Sequence, residues 1–327
     1  MDEPQTNADT TRLVVDPRHA GLRADVYLTM RFPELSRTRV KQKIMQGESL
    51  LNGRRYATSA RLRPGDRLEV RWQSPPPRPC PELEIPILYE DEHLVALDKP
   101  AGVPVHPTGR KQSLTVIQQL RGRERERIVA RLAAGDTGYY PSLVNRLDLF
   151  TSGVVLAAKD RATLAAMHRL IAGGGVYKSY LAVAAGSFEH TEGSIRLPLG
   201  PDPHSRIGIK QAVRSDGLPS RTDYRVLETL VDYTLVEALP RTGRQHQVRV
   251  HLAALGHPIW GDLLYVDESL FLRYHANGCR LDGELPPRQG LHARELRFRH
   301  PVEGRELCIA APPPPDFLSI LEALRQP

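Results

Sequence analysis

Residues 141–160 read PSLVNRLDLFTSGVVLAAKD. The run Val154–Ala158 is a short, unbroken apolar stretch of strand character, and Leu143 and Val144 lead in from the other side. Between them lie Arg146, Asp148 and a Thr151-Ser152-Gly153 turn. Charges set between two buried stretches need partners, because an isolated buried charge is very costly. Residues two apart in an extended segment share a face, so Arg146 and Asp148 are expected to look into one pocket. Arg249, in the downstream segment HQVRVH, is the expected partner of Asp148. Its charge would oppose the desolvation that raises a buried carboxyl pKa. An aspartate kept ionised in this way can act as a nucleophile or stabilise a cation at a sugar C1′. The plainer reading is an Arg–Asp bridge that only ties two strands together.

Around this stretch the composition is ordinary for a globular protein: 327 residues, 40% hydrophobic and 25% charged. That length suggests two domains, or one large domain with an appendage. The opening MDEPQTNADTTR is polar, carries no secretory h-region and is expected to be frayed. No apolar run is long enough to span a bilayer. Cys80, Cys279 and Cys308 are scattered and lack CxxC spacing, which argues against a disulfide framework or a zinc site and for a reducing, cytoplasmic setting.

The net charge is +7, and it is concentrated in one place. Residues 37–71 hold ten basic side chains, among them Arg37, Arg39, Lys41, Lys43, Arg54 and Arg55, against three acids. That excess equals the excess of the whole chain. A charge focused on one small unit points to a polyanion, although a basic run is more often a solvated face. Leu22, Val26, Tyr27 and Met30 have helical spacing. A second helix, RTRVKQKIMQ, can be capped by Ser36 and closed by Gly47, with Val40 and Ile44 inward and Arg37, Lys41 and Lys43 outward. Asn52-Gly53 reads as a hairpin turn. This segment resembles the small S4-like RNA-binding domain.

We therefore expect a frayed terminus over residues 1–12 and a small N-terminal α/β RNA-binding domain over 13–72. A stiff spacer with six prolines follows over 73–86. The remainder, 87–327, alternates strand pairs with helices. It predicts an α+β catalytic domain with a mainly antiparallel mixed sheet.

VNRLDLFTSGVVLAAKD resembles the signature of the RluA-type pseudouridine synthases, an HRLD motif followed by a TSG turn and an apolar strand. Four other pieces follow that family's order. They are LDKPAGVPVHP (97–107), VYKSYLA (176–182), LPRTGRQHQVRVHLAALGHPIWGDLLY (239–265) and RQGLHARELRFRHP (288–301). The resemblance implies the pseudouridine synthase fold and isomerisation of uridine to pseudouridine within RNA, with no cofactor and no metal. It agrees with the lack of a P-loop or a strand-linked GxGxxG.

By this resemblance Asp148 is the catalytic aspartate, Arg249 its partner, and Tyr180 stacks on the target base and is a candidate for C5 deprotonation. Arg146 helps to hold RNA with the base flipped out, as chemistry at C1′ and C5 requires. Lys99, Lys178, Arg244 and Gln247 are further candidate RNA contacts. Against these stand blander readings: a solvated strand-end lysine for Lys99 and core packing for Tyr180. Asn145 departs from the family's usual His, and segments 121–135 and 266–287 are longer than the usual pattern.

Large-subunit ribosomal RNA is the expected substrate and partner, with transfer RNA second, and a monomer is expected. A non-catalytic RNA-binding assembly factor is the rival from another class. A glycoside hydrolase lacks its second carboxylate in any matching motif.

Overall fold

A computed structural model describes residues 6–7, 10–32, 35, 37–72, 84–107, 115–124, 127–128, 130–131, 139–276 and 288–326. The Ser36 cap, the Arg37 side chain, the prolines of 75–81, Gly135 and the stretch 277–287 lie outside the described residues. The chain divides into two units. Met1–Glu84, Pro104–Ser142 and Lys159–Ala162 form the first; Ile85–Val103, Leu143–Ala158 and Thr163–Pro327 form the second. The first takes in a stretch, Pro104–Ser142, that the sequence reading assigned to the domain after the proline-rich spacer.

In the first unit β1 (Thr6–Asn7), β2 (Thr10–Val14), β3 (Ser49–Leu51) and β4 (Arg67–Val70) form an antiparallel sheet in the order β1-β2-β4-β3. Thr11 and Arg12 pair with Val70 and Glu69, so the ordered chain begins earlier than the expected frayed start. Helices α1 (Ala24–Arg31) and α2 (Arg37–Gln46) share one core with this sheet, built on Tyr27, Leu28, Val40, Ile44, Leu68, Val70 and Trp72.

The expected α1 stripe is displaced: Ala24, Tyr27 and Leu28 are buried and Val26 only half-buried. Asn52 and Gly53 both adopt positive φ, 51° and 77°, as the hairpin signal requires. Lys43 does not face solvent as expected. Its amine donates to Glu48 at 2.5 Å and sits over the Trp72 ring, because α2 packs its stem against the sheet. In the same unit, α3 (Val116–Arg123) opens on a capping box between Thr115 and Gln118.

The other strands are β5 (Ile87–Glu90), β6 (Leu94–Lys99), β7 (Tyr139–Leu143), β8 (Ser152–Asp160), β9 (Val176–Ala185), β10 (Glu192–Ile195), β11 (Leu199–Pro201), β12 (Gln211–Val213), β13 (Thr222–Thr229), β14 (Tyr233–Pro240), β15 (Leu291–Arg299) and β16 (Glu306–Ala310). The helices are α4 (Arg161–Ala172), α5 (Gln247–Ala254), α6 (Leu263–Val266), α7 (Glu268–Ala276) and α8 (Pro315–Arg325). The second unit is built on a sheet with the order β10-β13-β14-β9-β15-β8-β6-β5, with β16 beside β15. Among these neighbours β15 and β8 run parallel and the rest antiparallel.

Alternation along β9 sets the layers. Ala182 and Ala184 meet Val248 and Leu252 of α5, whereas Leu181 and Val183 meet Phe317, Ile320 and Leu321 of α8. Each fully buried aliphatic or phenyl side chain contributes roughly 1.5–3 kcal/mol. The small alanines bring α5, and Arg249 with it, close to the sheet. Helix α8 was not anticipated.

Val154–Ala158 is buried throughout, as its unbroken apolar pattern suggested. Gly153, at the head of that strand, has φ +110°, and a Cβ there would lie 2.1 Å from the Ala293 carbonyl oxygen. The close parallel approach of β8 and β15 needs glycine at this point.

Candidate active site

Asp148 does not sit in an extended strand. Strand β7 ends at Leu143, and residues 144–151 form a turn-rich loop before β8. Asn145 explains the break. Its side chain donates to the Val154 carbonyl (3.1 Å) and accepts from the Leu156 amide (2.7 Å), so β8 is bonded by a side chain here. The expected common face for Arg146 and Asp148 is therefore lost: Arg146 is exposed, and Asp148 turns inward until its side chain is 29% exposed.

Lys99 holds that loop. It was expected to reach RNA but is 0% exposed, with its ammonium donating to the carbonyls of Pro100, Val103 and Leu149 at 2.9–3.0 Å. The strand-end position misled, because the Pro100–Val103 turn folds its carbonyls over the side chain. Burial pulls the Lys99 pKa down to about 7, against the attraction of Asp148. On the far side of the loop, Thr151 accepts from Gln289 at 2.7 Å. Ser152 is bonded to both Arg288 (2.7 Å) and His292 (2.8 Å). The KPAG, NRLD-TSG and RQGLH motifs thus meet around one loop and fix Asp148.

Arg249 projects from α5 and is 8% exposed. One terminal nitrogen donates to Asp148 Oδ2 at 2.7 Å, as the sequence suggested. Its other donors form a fork on Asp262, Nε to Oδ2 at 2.6 Å and the second terminal nitrogen to Oδ1 at 2.7 Å. The aromatic face of Tyr265 lies 4.9 Å from the guanidinium carbon. Burial is the largest single influence on the Asp148 carboxyl and would push its pKa up, yet the charge and hydrogen bond of Arg249, with smaller help from His246 and Lys99, together hold it below the usual carboxylate range.

His246 closes the cluster. It precedes α5 with φ 55°, and its Nε2 lies 3.8 Å from Asp148 Oδ1 while Nδ1 bonds the Tyr265 hydroxyl at 2.8 Å. Burial and the nearby Arg249 lower its pKa to about 4, so the ring is neutral at neutral pH.

A half-exposed, ionised carboxylate bound to a buried guanidinium suits a nucleophile or a cation stabiliser, and comparison with known proteins supplies the chemistry. The model of the RNA pseudouridylate synthase family matches residues 93–254. A Ribosomal large subunit pseudouridine synthase D of Xanthomonas campestris is 37% identical, over 96% of this chain and 92% of its own. A protein of the same description from Nitrosomonas europaea is 32% identical, over 98% of this chain and 90% of its own. The solved structure of Human RNA Pseudouridylate Synthase Domain Containing 1 superposes with a TM-score of 0.54 at 27% identity, covering 75% of this chain and 96% of that one.

The chain belongs to the RNA pseudouridylate synthase family. It has that family's α+β fold.

In this pseudouridylate synthase the other candidate residues fall into distinct settings. Tyr180, on β9 between Ala293 and Ala238, is half-buried. Burial, and secondarily the Asp148 charge, push its hydroxyl far up, so the ring is present as the neutral phenol. Lys178 is half-buried and donates to the Thr242 carbonyl at 3.2 Å. Arg244 is exposed.

Gln247 was expected as an RNA contact, but it is buried with both ends occupied. It accepts from Thr242 and the Arg244 amide and donates to Arg221 O and Thr222 Oγ1. It anchors the loop that delivers α5. His251 and His292 are 0% exposed and hydrogen-bonded inside the fold.

Sequence reasoning missed Asp262, His246 and Tyr265. Their signal was the GHPIWGDLLY segment, where an aspartate follows a glycine-rich turn after the arginine helix.

Among the described residues, Asp91, His300 and Glu303 come close enough to share a cation. The donor set does not suit one. His300 Nδ1 accepts the Glu303 amide at 2.9 Å, leaving the ring proton on Nε2, 3.1 Å from Asp91 Oδ2. No described helix is long and apolar enough to cross a membrane.

Proposed function

We propose that this enzyme converts specific uridines of large-subunit ribosomal RNA to pseudouridine in the cytoplasm, with Asp148 as its catalytic carboxylate and no cofactor. The observation that carries the reading is the 2.7 Å bond from Arg249 to a carboxylate that is still 29% exposed. The names of the Xanthomonas and Nitrosomonas relatives, ribosomal large subunit pseudouridine synthases, support the ribosomal substrate.

The reaction balances without a co-reactant. As the N1–C1′ bond breaks, its electron pair leaves with the uracil, and the Asp148 carboxylate bonds to C1′ or stabilises the cation there. The uracil turns, C5 bonds to C1′, the carboxylate is released, and the C5 proton is lost while N1 gains one. Tyr180 offers a ring face to the extruded base. Arg146 is exposed two residues before Asp148, which supports a contact with RNA phosphate. Lys178 donates to the Thr242 carbonyl of the loop that carries the exposed Arg244, and both are offered as further RNA contacts.

Purified protein incubated with unmodified ribosomal and transfer RNA, followed by mapping of pseudouridines, tests this reading. New pseudouridines in large-subunit RNA without free uracil are expected. Modification of transfer RNA alone would overturn the substrate assignment, and uracil release the reaction.

The basic face of the first unit, with Arg39, Lys41, Arg54 and Arg55, is assigned to RNA phosphates as an S4-like module. Arg54 and Arg55 are exposed, and Lys41 is partly drawn to the buried Asp25 at 3.8 Å. Replacing Arg54 and Arg55 by alanine should weaken RNA binding. The slope of log affinity against log salt should become shallower by roughly 1.4–1.8, two phosphate contacts' worth of counterion release. An unchanged slope would remove these residues from the interface.

A further inference from the structure

The sheet of the second unit has two faces, and only one of them meets the catalytic cluster. On β9, Tyr180, Ala182 and Ala184 turn towards α5, the helix that carries Arg249. The opposite face is covered at one end by Phe317, Ile320 and Leu321 of α8, which pack on Leu181, Val183 and Leu235. Further along that face the apolar pattern stops. Ser179 stands two residues from Leu181, and Glu237 two from Leu235, so both share its side. Glu295 pairs with Ser179, and Asp223 with Leu239, which brings two more acids to the same side.

The charges there are layered. Three carboxylates lie against the sheet: Glu237 at 7% exposure, Glu295 at 15% and Asp223 at 16%. Over them stand Arg221, Arg225, Arg241, Arg294 and Arg297, each 45–61% exposed. Asp223 accepts from Arg221 at 2.8 Å and from Arg241 at 2.7 Å. Glu237 accepts from Arg225 and from Ser179, each at 2.7 Å, and Arg294 lies 3.9 Å away. Glu295 accepts from Arg297, whose guanidinium carbon is 4.7 Å from the Tyr177 ring. Burial would raise the Asp223 pKa, yet its bonds from Arg221 and Arg241 hold it at about 2, so the inner layer stays anionic.

A charged surface is ordinarily just solvated, and exposed ion pairs return little stability for the entropy they cost. Here the acids are sunk and the guanidiniums outermost, with five positive charges over three negative ones. Each guanidinium carries five donors, of which the carboxylate beneath takes one or two. A planar cation held in this way is already oriented for phosphate oxygens.

We propose that this face is a second RNA-binding surface, where the five arginines grip the phosphate backbone of the substrate away from the target uridine, a reading that depends on the ribosomal RNA substrate assigned above. A long structured RNA can reach both faces of the sheet, whereas a short stem-loop in the catalytic pocket occupies only one.

Two of the arginines can be removed without orphaning an acid. Asp223 keeps Arg221 when Arg241 is lost, and Glu237 keeps Arg225 when Arg294 is lost. The test therefore uses Arg241→Gln/Arg294→Gln with a ribosomal transcript that acquires pseudouridine in the mapping experiment, and with a short stem-loop cut from it around the modified site. On the long transcript the variant should bind about 10-fold more weakly at physiological salt, and the slope of log affinity against log salt should become shallower by roughly 1.4–1.8. On the stem-loop, kcat and KM should stay within about twofold of wild type. Arg241→Lys/Arg294→Lys, which keeps the charge, should retain the wild-type slope. If the glutamine pair does not fold, Arg297→Gln reads the same slope, with an expected change of roughly 0.7–0.9.

Unchanged affinity and slope on the long transcript would overturn the second surface. Equal losses on the long and short RNAs would place these arginines at the target site and overturn it too. Polyglutamate is the remaining probe: binding that the glutamine pair loses, beside an unchanged RNA slope, would give the face to an acidic protein instead. Failure to modify ribosomal RNA in the mapping experiment is the separate failure of the substrate reading, and the slope on whichever RNA is modified still decides the surface.

Discussion

Asp148→Asn should abolish pseudouridine formation, with turnover falling about 10⁴-fold or more, while RNA affinity stays within about twofold of wild type. Asparagine keeps the shape of the side chain and can still accept from Arg249, so the loop over 144–151 should stand. Three anchors that do not involve the carboxylate hold it: Lys99 on the Leu149 carbonyl, the Gly102 amide on the same oxygen, and Gln289 on Thr151. Arg249 also keeps its fork on Asp262, so no buried cation is left unpaired.

The change therefore removes a charge and a nucleophile without removing a support. The stability cost should stay within about 1–2 kcal/mol, because the lost partner is already partly solvated. Quantifying pseudouridine in the RNA, beside a filter-binding isotherm and a melting curve, separates the three effects. Turnover within tenfold of wild type would sink the assignment of Asp148.

The pairing of Asp148 with Arg249 could be read from sequence because each residue sits in a motif with its own surroundings, and a charge between apolar runs demands an opposite one. The strands and helices that frame the site were legible for a similar reason. Val154–Ala158, Val176–Ala185, the pair over 222–240 and the helix ending before Gly256 all carry strong local patterns.

What stayed hidden depends on which carbonyls fold over a side chain. Lys99 looks solvated in sequence, but three carbonyls from two separate turns enclose it. Gln247 looks like a polar contact, but four partners across two segments claim it. Asp262 has no periodic relation to Arg249: a loop through Gly256, Pro258 and Gly261 lies between them, and only its path brings the fork together.

Arg249→Ala should have the other large effect, on activity and stability together. It leaves Asp148 and Asp262 facing one another with no cation between them, and it strips both Asp262 oxygens of their bonds to the guanidinium. Breaking a buried ion pair from one side costs about 3–5 kcal/mol, and turnover should fall about 10³-fold or more. Arg249→Lys should recover part of the stability but little turnover, because a single ammonium cannot hold a fork on Asp262 and still reach Asp148.

The pH dependence distinguishes this from simple loss of packing. In the wild type the Asp148 carboxyl is held below its ordinary value. Its contribution is complete at neutral pH and lost only as pH falls through that depressed value. Without Arg249 the two carboxylates repel and burial is unopposed, so at least one folded-state pKa must rise above its unfolded value. A carboxyl of that kind stabilises the protonated fold at low pH and loses the contribution as pH rises. The gap in Tm between Arg249→Ala and wild type should therefore narrow as pH is lowered from about 8 to about 5. A gap that is constant across this range would mean that Arg249 contributes packing rather than charge, and a wild-type Tm with full turnover would remove it from the site altogether.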